Sequence, residues 1–246
     1  MDFLKFNHAQ YKEAFNAAVA DLSLSLKLDE SAAATHARER IGAMQGYIDL
    51  MQRLDSDREA DGVSLTGATD ASQIGGMILQ LLDDIGQVAV NRGLIKTMQQ
   101  MQRFSLPTAL WIAQHEGKIE KLDIVVNAIA SFANEGRSQE QLEVLCDVIK
   151  QVQSAVSEKI RRDVELNDPM RPWRILNLNW GIVATRTLSP PLMASVFDQL
   201  IDAIPIDAKA FFQEGMEQMD IVGYPESVRE VMVHYSNLLG ADSSLH

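Results

Sequence analysis

The sequence predicts an all-α protein: an irregular helical bundle or a short helix-pair solenoid of about eight to ten helices. Three observations carry this. Apolar residues recur at spacings of three and four along most of the chain, which stacks them on one side of a 3.6-residue helix. Alternating, strand-like patterning is confined to Leu22–Leu28, and one lone strand has nothing to pair with. Clusters of Gly, Pro, Asn, Asp and Ser punctuate the chain roughly every 15 to 25 residues, and such short connections favour antiparallel neighbours.

Taken in order, Tyr11 to Leu22 carries the first periodic stretch, and the alternating Leu22–Leu28 reads as its end. Ile41 to Leu54 carries the second, giving a helical hairpin over 1–54. Residues 55–72 are polar, with Gly62 and Gly67, and read as a mobile loop ahead of a main domain over 73–246, unless 1–54 and 73–246 form one continuous domain. Ile74, Met77, Ile78, Leu81, Leu82, Ile85, Val88 and Ala89 form the next stripe. Thr97–Phe104 is uncharged until Arg103, which fits a semi-buried helix, and Ser105-Leu106-Pro107 reads as a joint. A tryptophan-bearing helix around Trp111 precedes a helix at 122–133 and the joint Asn134-Glu135-Gly136.

The clearest stripe is Leu142, Leu145, Ile149, Val152, Val156, Ile160 and Val164, a helix over 138–164. Ser138 opens it, and Glu140 and Glu143 suit the positive end of its dipole. Beyond Asp168-Pro169 a second tryptophan helix carries Trp180. Ser189-Pro190-Pro191 opens a helix at 192–204, and helices at 208–221 and 228–239 flank Tyr224-Pro225. The order of a tryptophan helix followed by two amphipathic helices occurs twice, a loose echo that does not fit the tetratricopeptide pattern.

Composition narrows function. Of 246 residues, 46% are hydrophobic, enough for a sizeable core. The formal charge of −12 opposes general binding to nucleic acid or to anionic membrane. One cysteine excludes an intramolecular disulfide and multi-thiolate zinc sites. The N-terminal residues lack an apolar core behind a basic start, and no apolar run approaches the ~20 residues of a membrane span, so a cytoplasmic protein is expected.

Catalytic signatures are missing. There is no Gly-x-x-x-x-Gly-Lys-Ser/Thr loop, no dinucleotide fingerprint after a strand, no Gly-x-Ser-x-Gly elbow and no His-Glu-x-x-His. His8, His36, His115, His234 and His246 are scattered singly, and Cys146 beside Asp147 reads as a small buried hydrophobe. Neither a cofactor nor a metal is expected. Met44, Met51, Met77, Met98 and Met101 suit core packing, or an adaptable binding surface.

The distinctive stretch is 159–186. Six basic residues, Lys159, Arg161, Arg162, Arg171, Arg174 and Arg186, face three acidic ones, Asp163, Glu165 and Asp168, a local charge of +3 in an acidic chain. Trp173, Asn177 and Trp180 share a helix face. The candidate site is therefore Arg171, Arg174, Asn177, Trp180 and Arg186, where guanidinium groups bind an anion or acidic peptide and Asn and indole groups orient it. Arg186 joins only if the helix ends early or bends, and Gly181 is the place for that, because twelve residues of straight helix span about 18 Å. Against this stands a packing reading: tryptophan core anchors, with arginines paired to acidic helices such as the one carrying Asp198 and Asp202.

The functional expectation is a non-enzymatic scaffold or adaptor that binds a protein or acidic peptide partner. The alternative is a small-anion sensor or metal-independent enzyme that uses the 171–186 pocket.

Overall fold

The computed structural model describes residues 7–61, 67–164 and 166–241. Among them are twelve helices and no strand, only a single bridge between Ile119 and Val156. The fold is all-α, as the periodicity requires. The helix count exceeds the expected one because the first stretch divides at Val19 into α1 (His8–Ala18) and α2 (Ala20–Leu26), and because a single turn, α8 (Glu158–Arg161), stands alone. The alternating segment is helical in α2, where Leu22 and Leu26, four apart, are buried and Leu24 is exposed.

The chain divides into two compact units: residues 1–131 with 150–160, and residues 132–149 with 161–246. This differs from a boundary at 55–72. Residues 55–61 close α3 (Ala32–Asp61) and 67–72 open α4 (Gly67–Asn91), while 62–66 lie outside the described residues. Polar composition does not by itself end a helix, since only one face of a helix needs apolar residues. The expected hairpin over 1–54 belongs to the first unit, where α1 packs on α3 and α5 and α3 packs on α4.

In the first unit α4 and α5 (Ile95–Gln114) pair through a tight turn in which Gly93 takes φ +72°, the left-handed conformation glycine adopts without penalty. Every residue of α5 from Phe104 to Ile112 is buried. The expected joint at Ser105-Leu106-Pro107 is thus the middle of a core helix. Pro107 deprives the Arg103 carbonyl of its intrahelical N–H, and the neighbouring hydroxyls bond the carbonyls on either side of it: Ser105 donates to Gln102 at 2.6 Å, and Thr108 to Phe104 at 2.8 Å. Tertiary burial outweighs the proline penalty of about 3 kcal/mol.

α6 (Asp123–Asn134) and α7 (Gln139–Ala155) follow. The stripe expected to run from 138 to 164 is buried from Leu142 through Val156, but the helix stops at Ala155, and Val164 is 77% exposed. Val156 and Ser157 leave the helix to meet Ile119, whose N–H donates to the Ala155 carbonyl at 2.9 Å and whose carbonyl accepts from the Ser157 N–H at 3.0 Å.

The second unit is built around α9 (Pro172–Arg186), α10 (Pro190–Ala203), α11 (Pro205–Val222) and α12 (Glu226–Ala241). Proline opens three of them at a position where the missing N–H would have no intrahelical partner. Phe197, Phe212 and Tyr235 form an aromatic cluster with centroid separations of 5.0–5.5 Å. No helix of the described residues is long and apolar enough to cross a membrane.

Candidate functional site

Arg171 caps the start of α9 and is buried, with a side chain 6% exposed. A buried guanidinium must satisfy its N–H groups, and each of the three nitrogens here finds an acceptor. Its Nε donates to Asp163 Oδ2 at 2.8 Å, its Nη1 to the carbonyls of Leu166 at 3.1 Å and Asp168 at 3.0 Å, and its Nη2 to Asp207. Asp207 lies in the first turn of α11, where a carboxylate also suits the helix dipole. Its second oxygen accepts from Arg174 Nε at 2.7 Å, and Arg174 Nη1 donates to the Pro169 carbonyl at 3.0 Å. Burial alone would lower the Arg171 pKa, but the hydrogen bond and charge of Asp163 and the charge of Asp207 outweigh it and raise the pKa above its ordinary value. Asp163 holds its position with φ +46°, a conformation that aspartate tolerates better than most residues.

Arg171 and Arg174 therefore meet on one carboxylate and serve as a clamp between the segment before α9 and the start of α11. Their partners are Asp163 and Asp207; Asp198 instead accepts the Tyr235 hydroxyl at 2.6 Å. Asn177 is fully buried and donates to the Trp173 carbonyl at 2.8 Å. Trp180 is 2% exposed, and its indole N–H has no hydrogen-bond partner among the described residues. Arg186 stands at the far end of α9, where its Nη1 donates to the Ala133 carbonyl at 2.6 Å, at the close of α6.

Gly181 does not bend α9, which runs unbroken from Pro172 to Arg186. A Cβ there would lie 2.6 Å from Phe211 Cζ and 2.9 Å from Leu200 Cδ1, so the glycine admits α10 and α11 to close approach. Arg186 thus stays about 18 Å along the helix from Arg174, and the five residues do not converge on one point.

What the region does offer is a recess of about 450 Å³ beside the clamp, lined by Arg161, Arg162, Asp163, Val164, Leu166 and the α10–α11 junction through Ile206 and Asp207. Its apolar side chains face solvent: Val164 is 77% exposed, Leu166 48% and Ile206 69%, and Met170, in the same segment, is 69% exposed. Arg162 is exposed, and the Arg161 guanidinium lies 5.5 Å from the Trp173 ring centroid. Arg161 and Arg162 line the recess together with the carboxylates of Asp163 and Asp207, and those two carboxylates are engaged by Arg171 and Arg174.

A second polar centre, in the first unit, was not foreseen. Asp55 Oδ2 lies 2.6 Å from His8 Nε2; its Oδ1 accepts the Trp111 indole N–H at 2.9 Å and lies 2.7 Å from His115 Nε2. Burial pushes the Asp55 carboxyl up, but the hydrogen bonds from His115, His8 and Trp111 together outweigh it and hold it well below the usual carboxylate range. The centre ties α1, α3 and α5 together. His115 falls one helical turn after Trp111, a hint the sequence carries, but His8 and Asp55 are 47 positions apart and no spacing rule joins them. Among the described residues no group of three or more His, Cys, Asp or Glu is arranged to hold a metal ion. Burial raises the Cys146 thiol to about 12, and the charges of Asp147 and Glu143 add to the rise, which leaves it a poor nucleophile.

No family model, curated protein or solved structure matches the chain.

Proposed function

We propose that this protein is a helical adaptor that binds an acidic, amphipathic peptide segment of a partner protein in the recess between the 162–170 segment and the α10–α11 junction. The supporting observation is the exposed apolar set Val164, Leu166 and Ile206 around a recess that Arg161 and Arg162 also line. Exposed apolar side chains grouped around a concavity are the usual mark of an interaction site. Arg162 steers acidic residues toward the recess, while the buried clamp of Arg171, Asp163 and Asp207 holds its floor rigid. The apolar side chains supply affinity at about 25 cal/mol per Å² buried.

The test is selection from a displayed peptide library. Peptides alternating acidic and apolar residues are expected to enrich, and Ile206→Asp, which buries a like charge against them, should abolish that enrichment. Binding should weaken as salt rises, because part of it is carried by exposed charge. Enrichment of basic peptides, or enrichment indifferent to Ile206→Asp, would refute the proposal.

A further inference from the structure

The second unit holds a separate cavity of about 280 Å³, between the end of α9, α11 and α12. Its walls are mostly apolar, with Phe211, Met219 and Met232 among them. Two charged groups line it, Arg186 and the exposed Glu214. The volume lies just under the ~300–1,000 Å³ of typical small-ligand sites, which suits a small molecule rather than a large cofactor.

Arg186 is the polar group best placed to orient a ligand. Arg186 lines the cavity, and one of its guanidinium N–H groups is fixed on the Ala133 carbonyl at 2.6 Å, which restrains the head group and leaves its other N–H groups to a ligand. A planar guanidinium that is already positioned recognises a carboxylate by two parallel hydrogen bonds. The thioethers of Met219 and Met232 give a polarizable, adaptable lining for an aliphatic or aromatic body. Gly215 lets α12 lean in: a Cβ there would lie 2.8 Å from Met232 Sδ.

We infer that this cavity binds a small organic monocarboxylate, its apolar body against Phe211, Met219 and Met232 and its carboxylate on Arg186. Glu214 sets the sign of the test. It repels an anion, so neutralising it tightens binding of a carboxylate and leaves binding of a neutral analogue unchanged.

The experiment is calorimetric titration of the full chain with octanoate and 4-phenylbutyrate, with octanol as the neutral comparison. The expected result is saturable binding of the acids, with octanol about tenfold weaker. Glu214→Gln, a change at an exposed side chain, should tighten the acids severalfold and not octanol. Arg186→Gln should weaken the acids about tenfold or more, with circular dichroism confirming an intact helical fold. No saturable binding of either acid up to millimolar concentration, octanol binding as well as the acids, or Glu214→Gln leaving acid affinity unchanged would each overturn the assignment.

Discussion

Asp207→Asn probes the clamp with little change in volume. The wild-type carboxylate spends one oxygen on Arg171 and the other, at 2.7 Å, on Arg174. Asparagine keeps one acceptor and removes the charge. Removing one partner of a buried ion pair costs about 3–5 kcal/mol when the remaining charge is left uncompensated. Here Asp163, 2.8 Å from Arg171 Nε, still compensates in part, and Arg174 is 24% exposed and regains water. The loss should therefore be about 2–4 kcal/mol, including a few tenths from the dipole of α11. Urea unfolding followed by circular dichroism measures it, with the exposed Asp202→Asn as a control expected within ~0.5 kcal/mol of wild type. A loss under about 1 kcal/mol would refute the clamp, since that is the range of an exposed pair. The same variant separates packing from anion capture. If Arg171 and Arg174 were built to hold a diffusible anion, added phosphate would restore the lost stability; the clamp predicts no rescue.

Asp55→Asn should cost about 2–3 kcal/mol by unfolding titration, because the carboxylate that accepts from Trp111 and lies against His8 and His115 is lost. The folded-state carboxyl lies below its unfolded value, so its contribution is complete above the ordinary aspartate range near ~4 and drains as pH falls through the depressed value. The wild type should consequently lose more stability than Asp55→Asn on acidification, and equal losses would argue against the centre. Leu188 follows α9 with φ +55° and is 42% exposed, so Leu188→Gly should stabilise the protein by about 0.5–1 kcal/mol as the left-handed strain is relieved; a lower melting temperature would show that Leu188 packs more than its exposure indicates. Gly181→Ala should destabilise by about 1–2 kcal/mol, overpacking against Phe211 and Leu200 exceeding the gain in helix propensity. A variant more stable than wild type would mean that α11 yields there at no cost.

Periodicity by itself determined the helical class and most of the helix positions, because a chain must bury one stripe of each helix whatever its neighbours are. It also pointed to 159–186 as the unusual stretch, since charge reversal is a property of composition. Tertiary packing decided the rest. The stripe through Val164 is cut at Ala155 because the bonds of Ile119 draw the chain out of the helix. Pro107 sits inside α5 because burial on all sides outweighs one missing hydrogen bond. Gly181 is a packing contact and not a hinge, which only the approach of Phe211 reveals. Asp207 draws together Arg171 and Arg174 from a helix more than thirty positions away, and Asp55 gathers His8, Trp111 and His115 from two other helices. Such convergence is set by the three-dimensional path of the chain, and local spacing carries no record of it.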